Sequence, residues 1–257
     1  MHRFFIKSDW IRGGDVQVTG PQAHQMARVL RMQPGDVVVV LDNSGWEIET
    51  RLVTVDRELV RGQVLRRRLA HREPRTKVTL YQAVLKSNHF EYALQKNTEV
   101  GVVEFVPVIA ERCVVSDLEA VEKKRVRWEW IIQEAAEQCR RGRKPALRPA
   151  LLFPRACERA RQSGTLSLIP WEEESQQSLR SVLRNGSRGE EGARRESRPP
   201  FAINVFIGPE GGFTGEEIEL ARRYGLVSVT MGPRILRAET AGLVATAAIL
   251  YELGDLG

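Results

Sequence analysis

The 257-residue sequence predicts an α/β protein: a small β-rich module followed by a mostly parallel sheet flanked by helices. Three observations predict it. Residues 1–72 carry many short strand-like runs between turn residues, with one helix among them. From Arg75 onward strand and helix patterns alternate, the mark of a parallel sheet with helices on both faces. Near the C-terminus two apolar runs, Phe201–Ile207 and Leu226–Met231, end in Gly-Pro loops that lead into helices, I-G-P-E-G-G-F-T-G-E-E and M-G-P-R-I-L-R-A-E-T-A-G. Open α/β sheets build ligand crevices at such strand ends. These glycines do not follow G-x-G-x-x-G spacing, which excludes a standard dinucleotide site.

In the first module the strand candidates are Phe4–Lys7, Gln17–Thr19, Asp36–Asp42, Trp46–Val55 and Leu59–Leu65. Gly, Pro and Asn-Ser-Gly turn signals separate them. Closely spaced short strands suggest a small barrel. The helix Pro21–Met32 starts on a proline and stops at Pro34-Gly35, with Met26, Val29 and Leu30 facing inward and Arg28 and Arg31 outward. Beyond it come a strand at Val78–Leu85, a helix at Ser87–Val100 closed by Gly101, and a strand at Phe105–Ala110. A long helix is expected from Asp117 to Arg141, capped by Ser116 or Asp117, and a short strand at Leu166–Pro170. Gly186–Pro200 has no large apolar residue and is expected to be a mobile loop.

Composition narrows the function classes. Net charge is +6, from 39 Lys+Arg against 33 Asp+Glu. The excess gathers at Arg61–Lys77 and at Arg140, Arg141, Arg143, Lys144 and Arg148, which favours a polyanionic partner over a merely solvated face. Cys113, Cys139 and Cys157 show no C-x-x-C spacing, and the four histidines form no metal-ligand pattern, so neither a disulfide framework nor a metal site is expected. Charges within Met1–Trp10 argue against a signal peptide, and no apolar run is long enough to cross a bilayer. A cytoplasmic protein is expected.

Two loops can carry chemistry. Thr214-Gly-Glu-Glu217 is a capping box that sets the start of a helix over Gly215–Tyr224. The second loop brings Arg234, Arg237, Glu239 and Thr240 ahead of a helix rich in Ala and Gly. Gly242 within it costs about 1 kcal/mol against Ala, which points to a close contact, either with its own sheet or with a partner subunit.

With these residues in view, the chain resembles the knotted SPOUT methyltransferases, and within them the ribosomal RNA small subunit methyltransferase E family. The resemblance rests on I-G-P-E-G-G-F-T at 207–214 and G-P-R-I-L-R-A-E-T-A at 232–241. It extends to M-H-R-F-F-I at the start, R-V-L-R at 28–31, Q-K-N-T-E-V-G-V at 95–102, E-R-C-V-V at 111–115 and E-A-A-E-Q-C at 134–139. It departs at Lys86-Ser-Asn-His89, where the family more often has Lys-Gly-Asp-Arg, and at Asn97, where a small residue is usual.

The resemblance implies a PUA-like RNA-binding β-barrel domain at 1–72 and a SPOUT α/β domain at 73–257 with a C-terminal deep trefoil knot. It implies methyl transfer from S-adenosyl-L-methionine to N3 of a uridine in small-subunit (16S) rRNA near the decoding centre, by a homodimer formed through the knot region. Two other readings stay open: an RNA-binding or assembly protein that keeps the knot without methyl transfer, and a methyltransferase of a different RNA. By motif match the cofactor is expected among Leu168, Ile169 and Pro170; Ile207, Gly208, Pro209, Glu210, Gly211 and Gly212; and Met231, Gly232, Ile235, Leu236, Arg237, Glu239, Thr240 and Ala241. Leu168, Ile207, Met231, Ile235 and Leu236 would wall the adenine. Glu239 and then Glu210 are candidates to take the N3 proton, with Arg237 and Arg234 facing charge that develops on the uracil oxygens. Arg28, Arg31, Arg66, Arg67, Arg68 and Lys86 are candidate rRNA contacts.

Overall fold

The computed structural model describes residues 1–186 and 202–257. The expected mobile loop at Gly186–Pro200 therefore lies outside the described residues, apart from Gly186. The chain separates into two compact units, one of Met1–Glu73 with Gln133–Lys144 and one of Pro74–Ile132 with Pro145–Gly257.

The first unit is built on β1 (Arg3–Phe5), β2 (Ile11–Arg12), β3 (Asp15–Thr19), β4 (Val37–Leu41), β5 (Trp46–Val55) and β6 (Leu59–Leu69), in sheet order β1-β4-β5-β6-β3-β2. Only β1 and β4 pair in parallel; the other pairings are antiparallel. Period-2 alternation sends Val16 and Val18 of β3 inward between exposed neighbours. They join Phe4, Val38, Val40, Ile48, Leu52 and Val60 in one apolar cluster.

The helix expected at Pro21–Met32 is shorter. α1 covers Gly20–His24 and widens into a π-turn over Gln25–Val29, where the Leu30 amide donates to the Gln25 carbonyl. The wider turn rotates the following residues. Met26 stays buried, but Val29 is 67% exposed, against expectation. Arg28 and Arg31 are exposed as expected.

The second basic cluster is largely used inside the protein. Arg141 is buried and pairs with Glu73 at 2.8 Å, and Glu73 also accepts the amides of Gly142 and Arg143. The Arg143 guanidinium donates to the Ser44 carbonyl, while Arg148 pairs with Glu104 in the second unit.

In the second unit the chain forms β7 (Lys77–Ala83), α2 (His89–Val100) and β8 (Glu104–Ile109). The long helix expected from Asp117 to Arg141 is two helices, α3 (Leu118–Glu122) and α4 (Arg125–Gln138). The break follows from local bonding: Asp117 caps α3, and the Lys124 amide turns back to the Val121 carbonyl and closes it. Then come β9 (Ala146–Leu147), β10 (Leu151–Leu152), α5 (Phe153–Gln162), β11 (Leu166–Pro170), α6 (Leu179–Gly186), β12 (Ala202–Ile207), α7 (Gly215–Arg223), β13 (Val227–Val229) and α8 (Ala238–Glu252).

The sheet runs β10-β8-β7-β12-β11-β13, with β9 also on β8, and every pairing is parallel. β8 and β12 are buried residue after residue, as strands covered on both faces must be. One group of contacts joins α2, α6 and α8, and another joins α5 to α7. Parallel strands put the residues after β7, β11, β12 and β13 at one edge of the sheet. The order also reverses there, since β12 enters between β7 and β11. Such a switch point is where an open α/β sheet leaves a crevice.

Candidate active site

Each loop at this edge is held by short-range bonding. After β12 the chain turns at Gly208–Phe213, with the Gly212 amide on the Pro209 carbonyl at 3.0 Å. Gly212 has φ +69°, and a Cβ there would meet the Glu172 carboxylate, so the loop after β11 lies against this turn. The predicted capping box is present: the Thr214 hydroxyl accepts the Glu217 amide at 3.2 Å, and the Glu217 carboxylate accepts the Thr214 amide at 3.0 Å. The other Glu217 oxygen takes the Glu111 amide, while Arg112 donates to the Gly211 carbonyl.

The loop after β13 is pinned at its start. Thr230 exchanges backbone hydrogen bonds with Gln177 and Leu179, and Trp171 donates to the Val229 carbonyl, so residues 171–179 run across the end of β13. Gly232 follows at φ +108°, with nothing within 4 Å of the place a Cβ would occupy. α8 begins earlier than the sequence suggested. Arg237 is its N-cap residue and its carbonyl accepts the amides of Thr240 and Ala241, so Glu239 and Thr240 belong to the first helical turn. Gly242 approaches Gln82 and Leu80 of β7 and Asn97 of α2, so its close contact is with its own sheet and helix layer.

The residues expected to meet the cofactor divide by exposure. Leu168, Ile169 and Ile207 are fully buried in the core cluster. Their backbone lies at the edge, at and next to the ends of β11 and β12. Pro170, Gly208, Gly212, Met231 and Leu236 are half-exposed, Glu210, Gly211, Gly232 and Ile235 are exposed, and Pro209 and Ala241 are buried. Arg234 and Arg237 are exposed and, among the described residues, have no ion-pair partner, so neither is tied to Glu239 or Glu210.

Two contacts join the loop after β7 to this edge, and sequence reasoning missed both. The Lys86 amide donates to Glu210 Oε1 at 3.0 Å across 124 residues of chain. His89 Nδ1 lies 3.9 Å from Glu239 Oε2. A polar turn directly after an apolar strand was the only available signal, because the partner residues are remote in sequence.

Among the described residues no group of His, Cys, Asp and Glu could hold a metal, and no helix is long and apolar enough to cross a membrane. Burial pushes the Cys157 thiol up to about 12 and raises that of Cys113, so neither is a thiolate at neutral pH. A cavity of about 550 Å³ shares Trp171 with the glycine loops but is otherwise walled by residues 173–177, Arg222 and the start of β13. Within it Ser228 and Arg222 bond Glu174 and hold its carboxyl below the usual range, with the serine the larger cause.

The Arg66–Arg68 run is not a single patch. Strand alternation separates Arg67 from its neighbours. Arg66 pairs with Glu49 at 2.6 Å and Arg68 with the buried Glu47 at 2.8 Å. Arg67 is exposed, as is Lys86.

A family model of an RNA methyltransferase domain matches residues 71–250, and one of an RNA methyltransferase PUA domain matches residues 18–65. The chain is 33% identical to ribosomal RNA small subunit methyltransferase E of Bacillus subtilis (strain 168), covering 98% of this chain and 97% of that protein. The chain belongs to the ribosomal RNA small subunit methyltransferase E family. A second member, from Synechocystis sp. (strain ATCC 27184 / PCC 6803 / Kazusa), is 34% identical over 96% of this chain and 77% of its own length. The crystal structure of the Neisseria gonorrhoeae family member, bound to S-adenosyl methionine, superposes with a TM-score of 0.82. It is 29% identical and covers 98% of this chain and 97% of that one. The fold is therefore the one the family implies, a PUA-like domain followed by a SPOUT α/β domain with a C-terminal trefoil knot.

Proposed function

We propose that this protein transfers the methyl group of S-adenosyl-L-methionine to N3 of a uridine in small-subunit rRNA. The observation that carries the reading is the edge where both Gly-Pro loops, Arg234, Arg237 and the first turn of α8 meet, in a chain related to the family along nearly its full length. The residues fit the cofactor. The space open beside Gly232 admits a ligand close to the main chain. Half-exposed Met231 and Leu236, with Ile235, supply apolar contact. When bound, S-adenosylmethionine supplies a methyl group already activated on a sulfonium.

The protein's own part is to position the uridine and manage one proton. Neutral uridine carries a proton on N3 that must leave. Glu239, half-buried in the first turn of α8, accepts it. One oxygen of Glu210 is spent on the Lys86 amide, so Glu210 shapes the loop and Glu239 is the base. Arg234 and Arg237, without an ion-pair partner among the described residues, donate to the uracil carbonyl oxygens as charge develops there. Arg28, Arg31, Arg67 and Lys86 offer exposed charge to rRNA phosphate. The protein works in the cytoplasm as a homodimer through the knot region, where Ile235, Val244 and Tyr251 leave apolar surface exposed.

The test is methyl transfer from labelled S-adenosylmethionine to small ribosomal subunits from a strain lacking the endogenous enzyme, with the nucleoside identified by mass. 3-Methyluridine is expected. Cofactor binding without transfer would redirect the reading to another RNA, and absence of cofactor binding would overturn it.

A further inference from the structure

We propose that His89 acts through Glu239 as a positioning and relay residue, carrying the uridine N3 proton out to solvent. The inference rests on Glu239 being the proton acceptor. His89 opens α2, its amide donating to the Lys86 carbonyl at 3.3 Å. Its Nδ1 is buried and has no hydrogen-bond partner among the described residues, and Glu239 Oε2 is 3.9 Å away. The His89 side chain is nevertheless 40% exposed, against 14% for Glu239. One ring nitrogen thus faces the carboxylate while part of the ring reaches water.

That is the arrangement a proton relay needs. A buried, unpaired ring nitrogen is costly, and the carboxylate is its near partner. Closing 3.9 Å to hydrogen-bond length takes a shift of about 1 Å, and catalytic hydrogen bonds are commonly long before substrate binds. Of the charged groups near the ring on its own segment, Glu91, on α2 itself, is paired with Arg127, and Lys86, in the turn before α2, is exposed to water. The proton balance is complete. The N3–H bond breaks and its electron pair forms the bond to the incoming methyl group, whose bond to sulfur breaks with that pair left on the sulfur, so that S-adenosylhomocysteine leaves. The proton passes to the Glu239 carboxylate and then to Nδ1, and Nε2 releases one to water.

The experiment uses the full-length protein in single-turnover methyl transfer to small subunits, with His89→Ala, His89→Gln and Glu239→Gln compared with wild type. His89→Ala is expected to slow transfer about a hundredfold with S-adenosylmethionine affinity unchanged, and His89→Gln to be no faster. Free imidazole should restore part of the rate to His89→Ala but none to Glu239→Gln. Without any ligand, the ¹⁵N resonance of His89 Nδ1 should move in Glu239→Gln. Wild-type rates in His89→Ala, or a loss indifferent to imidazole, would overturn the relay. A fully active Glu239→Gln would overturn the base assignment itself.

Discussion

Glu137, at the end of α4, offers a test of how the first unit is held together. Its carboxylate accepts the Phe5 amide at 2.8 Å and the Gln133 side-chain amide at 3.1 Å. Burial is the main influence on its acidity. The two hydrogen bonds and Lys144 oppose it, Glu134 adds to it, and the carboxyl is raised from 4.5 to about 7. A raised carboxyl binds more protons folded than unfolded. Its contribution to stability is therefore complete below about pH 4.5 and is lost as pH rises through about 7. At about 1.4 kcal/mol per pH unit the loss approaches 3 kcal/mol. Glu137→Gln keeps an oxygen for the Phe5 amide and has no charge to bury. The variant should match wild type near pH 4.5 and exceed it by up to about 3 kcal/mol at pH 8, or roughly 6–12 °C in Tm for a chain of this size. Urea unfolding of both proteins at pH 5 and pH 8 measures it, and the difference between them cancels every other titrating group. A constant difference across that range would refute the assignment of burial as the dominant cause.

Further predictions follow from other contacts. Arg3→Ala removes one partner of Glu47, whose side chain is 2% exposed, and should cost about 3 kcal/mol, the low end for breaking a buried pair because Arg68 remains; urea titration should show the penalty shrinking as acid protonates Glu47. Thr214→Ala breaks the capping box and should cost about 1 kcal/mol, with weakened S-adenosylmethionine binding by calorimetry, since Gly208–Phe213 leads directly into that cap. Arg67→Ala should reduce the salt dependence of rRNA binding by about one unit of slope. Arg66→Ala should change it less, because Arg66 is already paired with Glu49. Arg237→Ala should abolish methyl transfer at unchanged Tm, and a fully active variant would remove Arg237 from the site.

Much of the site was legible because its parts are local. The Thr214–Glu217 cap, the closure of α2 at Gly101 and the strand Leu166–Pro170 all depend on residues within a few positions of one another. Errors arose where bonding overrode pattern. The apolar spacing across 117–141 reads as one helix, yet backbone bonds at Lys123–Lys124 divide it. A π-turn carried Val29 out of the core that its spacing had assigned to it. Arg141 counted towards a basic patch until Glu73, far along the chain, proved to enclose it.

By itself, then, the sequence determined the fold class, the two glycine loops and the capped start of α7, since backbone conformation and hydrophobic period are written in neighbouring residues. Only the tertiary structure decided which of those residues share a site. Placing β12 between β7 and β11 brought Lys86 to Glu210 and His89 to Glu239. That order is set by burial summed over the whole sheet, and no local spacing encodes it.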